Sequence, residues 1–467
     1  MDLALLIDFG STYTKVTVVD LDREELLATA KGPTTIETNI MDGLNIALAK
    51  LYTNFGEHFG SCKKIACSSA AGGLRMVTIG LVPDLTGEAA KKAALGAGAK
   101  VVGVYCNKLN REELKEIEIL DPDIILLCGG TDGGNRTVIS ANAEKLASLQ
   151  INVPIIVAGN KEATDEIQDT LKNAGKDVRI TGNVMPEIGV LEVHEIQKVI
   201  RDVFIEKIIN AKGLKSAEQF VERILMPTPT AVLQAAELLS RGAEGEKGLG
   251  ELIIVDIGGA TTDVYSAASG TPSQGGVITK GLPDPYLKRT VEGDMGMRYS
   301  LKGIVEAAGI DNLARDCRQD ANKIMNFIAT MQEDTEKLPQ TEGEMAIEMS
   351  LARVAVDVAT KRHVGTLNTV YTIMGESLVQ YGKDLRDVAL VIGTGGVIVF
   401  NDDPCKIMDK MVFTASDPSS LKPQKPDLYV DSQYILYAIG LLAEFEPQKA
   451  LRIAKKYLNP VHLQTSH

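Results

Sequence analysis

Two aspartates in this chain occupy matching settings. Asp8 closes the apolar run of LLIDFGSTYTKVTVVD and is followed by Phe9, Gly10, Ser11, Thr12, Tyr13, Thr14 and Lys15. Asp256 closes that of LIIVDIGGATTDVYSA and is followed by Ile257, Gly258, Gly259, Ala260, Thr261, Thr262 and Asp263. A glycine lets backbone approach a ligand with no Cβ in the way, and successive amides of a tight turn form a concave anion site. The hydroxyls of Ser11, Thr12, Thr261 and Thr262 add donors to phosphate oxygens, and Lys15 can supply a point charge. Carboxylates repel phosphate, so Asp8 and Asp256 need another task. Holding a hydrated Mg²⁺ that bridges phosphate oxygens is one, and one of them, or Asp263, could orient an attacking water. For either copy alone, an aspartate that caps its own turn is the plainer reading. The repetition favours phosphate, because two related turns, each opening an α/β half, imply two domains facing each other across a cleft.

A third glycine cluster, Gly393-Thr394-Gly395-Gly396 in VALVIGTGGVIV, ends another apolar run. It lacks the GxGxxG spacing and the downstream acid of a dinucleotide site, so a flat turn against a purine ring fits it better. CGGTDGGN, starting at Cys128, is a comparable turn that reads equally well as a plain connection or an interaction surface.

The elements that must carry these turns alternate between strand and helix. ALLIDFG, KVTVVDLD and LLATAKGP read as successive strands, followed by alternating helix and strand. DIILLCGG, VPIIVAGN and DVRITGNV are strands separated by helical patterns, the signature of about three βα units. RGAEGEKGLG is a glycine-rich boundary, after which strand, turn and strand return, then a mostly helical stretch over 301–381. This organisation predicts an α/β protein. Its domains are expected at 1–110, an inserted α/β subdomain at 111–190, connecting helices at 191–250, a second domain at 251–425, and a C-terminal helical segment at 426–467 returning to the first.

At 467 residues the chain is long enough for two to four domains. With 45% hydrophobic and 24% charged residues it reads as globular, and a net charge of −13 without a long basic run argues against a nucleic-acid partner. No apolar stretch reaches the ~20 residues of a spanning helix, and Met1-Asp2 runs straight into a strand, which predicts no membrane association and a cytoplasmic location. Six scattered cysteines without a CxxC pair, and five dispersed histidines, argue against a zinc or iron–sulfur site.

Taken in order, the three glycine motifs resemble the ATP site of the acetate and sugar kinase, heat-shock chaperone and actin superfamily. By that resemblance the fold is two actin-like (ribonuclease H-like) domains around a nucleotide cleft. Asp8 to Lys15 is similar to the first phosphate loop, Asp256 to Asp263 to the second, and Gly393 to Gly396 to the adenosine motif. The resemblance implies ATP and Mg²⁺ as ligands, with Asp8, Asp256 and Asp263 handling metal and water, and a helix from Asp431 as one of two interdomain connections. Within the superfamily, LLIDFGSTYTK, ILLCGGTDGGN, VDIGGATTDVYS and GTGGVI resemble the GlmL family, also called MutL, which accompanies adenosylcobalamin-dependent glutamate mutase. That implies an ATP-driven reactivating factor for a cobalamin-dependent aminomutase, releasing damaged cobalamin through nucleotide-dependent domain closure. Pairing with a second copy is left open. A small-metabolite kinase and an actin-like assembly protein are the competing readings, while an activator of an iron–sulfur dehydratase would need clustered cysteines.

Overall fold

The computed structural model describes residues 2–10, 12–35, 39–69, 74–210, 220–221, 223–373 and 375–462. The chain divides into unit 1, Met1–Ala235 with Gly281–Pro285 and Tyr437–Ile453, and unit 2, Ala236–Lys280 with Tyr286–Leu436 and Ala454–His467.

Unit 1 is built on Leu3–Phe9, whose residues are buried throughout, as a strand covered on both faces requires. Fully burying side chains such as Ile7 and Phe9 stabilises the unit by roughly 1.5–3 kcal/mol each. This strand pairs antiparallel with Tyr13–Asp20, which pairs antiparallel with Glu25–Pro33. On its other side Lys63–Ser68 and then Arg223–Pro227 are added in parallel. The helix Ile40–Phe55 starts where the Asn39 side chain accepts a hydrogen bond from the Met41 amide, and it buries Leu44, Ala47, Leu48 and Leu51 in the core shared with Leu5, Ile7 and Phe9.

Unit 2 repeats this arrangement. Leu252–Ile257 pairs antiparallel with Thr262–Ala267, and that strand with Leu287–Glu292, while Leu390–Thr394 and Asp427–Val430 are parallel on the other side. Both sheets therefore run third, second, first, fourth, fifth in chain order with the same directions, and unit 2 adds Asn459–Val461 at its edge. This is the duplicated actin-like, mixed α/β organisation that the paired motifs imply. Helix Glu342–His363 covers the second sheet with Leu351, Ala352, Ala355, Val356 and Ala359. A capping box of Thr341 and Glu344 opens it, and Lys361, Arg362 and His363 complement its dipole at the end.

The sheet holding 111–190 is entirely parallel and runs Lys100–Cys106, Arg75–Gly80, Ile124–Leu127, Ile155–Val157, Val178–Ile180. It thus takes two strands from ahead of 111. One of them, Arg75–Gly80, follows Gly72-Gly73 in the sequence and pairs in parallel with both Lys100–Cys106 and Ile124–Leu127. A second difference lies in 301–381. The helix stops at His363, and Gly365 leads into the strands Thr366–Thr372 and Gly375–Tyr381, which pair as a hairpin. The β-branched run in TLNTVYT favours strand over helix there.

The connecting region 191–250 holds helices His194–Asn210 and Thr228–Arg241; 211–219 and 222 lie outside the described residues. Helix Leu436–Ala443 crosses Thr228–Arg241 at Gly440, where a Cβ would overlap the Ala231 carbonyl. Among the described residues no helix is long and apolar enough to cross a membrane.

Candidate phosphate-binding hairpins

The first motif is the turn between Leu3–Phe9 and Tyr13–Asp20. Asp8 faces Lys15 across the hairpin, and the Gly10 amide donates to the Tyr13 carbonyl at 3.1 Å. Ser11 lies outside the described residues. Thr34 pins the turn from the third strand's end: its hydroxyl donates to the Gly10 carbonyl at 2.9 Å and its amide to the Thr12 carbonyl at 2.8 Å. Tyr13 opens the second strand, with the Lys31 ammonium 4.9 Å from its ring centroid.

Asp8 is buried, and its surroundings assign work to residues the sequence did not single out. Oδ1 accepts from the Thr228 hydroxyl at 2.6 Å, and Oδ2 lies 3.4 Å from Lys15 Nζ. The Cys67 thiol reaches Oδ1 at 3.7 Å; burial, and secondarily the Asp8 charge, push that thiol well above its ordinary range. Thr228 follows directly on the fifth strand, and the PTPT run containing it is a signal for a strand handing over to a helix.

The second motif has the same geometry. Asp256 faces Asp263, and the Gly258 amide donates to the Thr261 carbonyl at 2.9 Å. Three carbonyls of its turn are engaged by 293–300: Gly258 accepts from the Met297 amide at 3.0 Å, and Gly259 from those of Arg298 and Tyr299 at 2.8 and 3.0 Å. Ala260 accepts from the Ser300 hydroxyl at 3.3 Å. Gly296 packs so closely on the turn that a Cβ there would overlap the Ala260 carbonyl group. Among the described residues nothing accepts from the amides of Gly259, Ala260 and Thr261. A turn whose carbonyls are fixed and whose consecutive amides remain available is suited to an anion.

Asp263 is not a free carboxylate. Arg289, buried on the third strand, donates to its Oδ1 from Nε at 2.9 Å and approaches it with a second nitrogen at 2.7 Å, while the Thr261 hydroxyl donates to Oδ2 at 2.8 Å. Asp263 thus ties the second strand to the third through Arg289 and to its own turn through Thr261.

The third motif adjoins the second within unit 2. Gly393 and Thr394 end a strand parallel to Leu252–Ile257, in register with Val255 and Asp256. Gly395 has φ of 98°, and a Cβ on it would overlap the Ile257 carbonyl, so the position demands glycine. Gly396 opens the short helix Gly396–Val399. The Thr394 hydroxyl donates to Asp431 at 3.2 Å, and Asp431 also accepts from the amides of Ile435 and Leu436, at 2.9 and 3.1 Å, where helix Leu436–Ala443 begins. Asp431 is thus a helix cap tied to the glycine motif.

The turn in CGGTDGGN is braced by two asparagines. The Asn183 amide group donates to the Gly130 carbonyl at 3.0 Å and to Asp132 at 2.9 Å, and that of Asn160 to the Gly134 carbonyl at 3.1 Å. Among the described residues no three or more His, Cys, Asp or Glu side chains gather as a metal cage.

The comparisons with known proteins agree with the motifs. The family model described as MutL protein matches residues 4–458. "Protein MutL" of Clostridium tetanomorphum is 50% identical over 459 residues, covering 98% of this chain and 99% of its own. Among solved structures, a glycerol dehydratase reactivase aligns over 95% of this chain and 99% of its own at 10% identity and a TM-score of 0.35. The xylulose kinase of Bifidobacterium adolescentis aligns over 99% and 95% at 12% identity and 0.33. At those scores the fold rests on the chain's own strand orders, and the family on the sequence match: this chain belongs to the MutL protein family.

Proposed function

We propose that the protein binds and hydrolyses MgATP and uses the resulting change of state to reactivate an adenosylcobalamin-dependent aminomutase of the glutamate mutase type, releasing damaged cobalamin. The observation that carries the nucleotide part is the second hairpin turn, with three carbonyls pinned from behind and three amides left for an anion. The partner is supported by membership of the MutL family and by the resemblance of the motifs to the family that accompanies glutamate mutase.

In this reading the turns at Gly10 to Tyr13 and Gly258 to Thr261 take phosphate oxygens, Lys15 adds a positive charge, and Gly393 to Gly396 takes the adenosine. Asp8 and Asp256 are the hard oxygen donors that fit a hydrated Mg²⁺, an ion that binds through one or two carboxylates and substrate phosphates. Mg²⁺ would neutralise charge on the phosphates, while Asp263 acts indirectly by holding the hairpin with Arg289 and Thr261. A nucleotide can shift the protein between two states only by its differential affinity for them, so hydrolysis changes affinity for the partner by that difference and no more.

The test mixes the protein with MgATP, free adenosylcobalamin and an aminomutase inactivated by turnover. Recovered mutase activity that requires ATP supports the reading. No recovery, together with ATP-dependent phosphorylation of a small metabolite, would favour a kinase instead.

A further inference from the structure

Arg298 sits where the loop 293–300 crosses the second hairpin turn. Its backbone amide donates to the Gly259 carbonyl at 2.8 Å, and its Cβ and Cγ would lie 3.6 and 3.5 Å from a Cβ built on Gly259, so the stem lies along the turn. Its guanidinium points away. One nitrogen donates to the Met297 carbonyl at 2.7 Å, and the other forms an ion pair with Glu348 at 3.0 Å and reaches the Lys337 carbonyl at 3.4 Å. Both partners of the ion pair are largely buried, with side-chain exposures of 12% and 14%. Glu348 lies on helix Glu342–His363, the helix that covers the second sheet.

We infer that Arg298 and Glu348 form a positioning pair that holds the loop 293–300 against the second phosphate turn, and so keeps the amides of Gly259, Ala260 and Thr261 aimed at a phosphate. The inference deepens the ATP reading above and rests on it for the identity of the anion. The physical reason is preorganisation. A carbonyl freed from the loop could rotate toward the ligand, and a turn that must be reordered on binding loses affinity by the cost of that ordering. Arginine suits the place because its fork can serve a carboxylate and two carbonyls at once, which a point charge does less completely.

The test uses the full chain and reads two quantities. In nucleotide-free protein, Arg298→Met should speed hydrogen exchange at the amides of Met297, Arg298 and Tyr299 about tenfold, while the Gly10 amide of the first turn exchanges as before. In calorimetric titration with MgATP the same variant should raise Kd about tenfold, and Arg298→Lys should restore part of both effects. Glu348→Gln should follow Arg298→Met in direction. The first-hairpin amide serves as the internal check that the variant folds. Unchanged exchange at 297–299, or faster exchange with an unchanged Kd, overturns the inference. A wild-type protein that binds no MgATP overturns the ATP reading instead, and the two failures are distinguishable because the exchange measurement contains no nucleotide.

Discussion

The two hairpins share a backbone and differ in how their charge is arranged. In unit 1 the carboxylate of Asp8 faces Lys15 on the same hairpin, and that lysine side chain keeps 26% of its exposure. In unit 2 Asp256 faces a second carboxylate, Asp263, whose cation comes from the neighbouring strand as Arg289, only 5% exposed. Thr34 pins the described part of the first turn, and the loop 293–300 pins the second. Duplicated topology therefore does not mean duplicated chemistry. The first hairpin sets a partly exposed lysine against its carboxylate, whereas the second engages a buried arginine from the neighbouring strand.

The largest effect should come from removing the buried cation. Arg289→Met leaves Asp263 buried and uncompensated, a change that costs about 3–5 kcal/mol in comparable settings. Lys15→Met removes a partly exposed cation 3.4 Å from the buried Asp8 carboxylate, which keeps the Thr228 hydroxyl as a donor, and should cost less folding stability than Arg289→Met while weakening MgATP binding. Urea denaturation of the two variants side by side measures the contrast. Equal losses would erase the distinction between a buried and a partly exposed cation.

A smaller effect sharpens the glycine motif beside the second hairpin. Gly395→Ala must place a Cβ against the Ile257 carbonyl at a φ of 98°, and strain of this kind costs on the order of 1–3 kcal/mol. At Gly396, the first residue of its short helix, the nearest heavy atom to a Cβ is Phe400 Cδ2 at 3.9 Å, so Gly396→Ala should be tolerated. Thermal unfolding of both variants checks the pair; equal behaviour would contradict the close approach of the two turns.

The smallest effect concerns pH. The Arg362 hydrogen bond holds the Asp294 carboxyl below its ordinary value, in the same loop that pins the second turn. A depressed carboxylate stabilises the folded form above its unfolded value of about 3.9, and this contribution is lost as pH falls through the lower folded value. Stability from this pair should thus be level between pH 7 and about pH 5 and decline only in stronger acid. Asp294→Asn should flatten that acid limb, as followed by denaturation midpoints across pH.

The hairpins were legible in the sequence because their signals are local. An apolar run, an aspartate, a glycine turn and β-branched residues specify strand, turn and strand within twenty positions, and the duplication then implied two related halves. The strand Arg75–Gly80 was missed although Gly72-Gly73 precedes it and Pro83 follows it in the sequence, because six residues fix no sheet position until their parallel partners, distant in the chain, are in place. The hairpin after Gly365 was hidden by the long helix before it. Among the site residues, Arg289, Arg298 and Glu348 look like surface charges until folding buries them. The one hint was GDMGMRYS, where two glycines beside an arginine mark backbone packed against backbone, as Gly296 is against Ala260. Asp263 illustrates the reverse: its type and spacing pointed to metal or water, and only the third strand shows that Arg289 engages it.

The central claim is that Asp8 and Asp256, one from each hairpin, serve MgATP turnover. Steady-state phosphate release from MgATP by the wild type, Asp8→Ala and Asp256→Ala, with circular dichroism confirming that each variant is folded, tests it most directly. The account predicts hydrolysis by the wild type and its loss in both variants. Full turnover by both folded variants would contradict it.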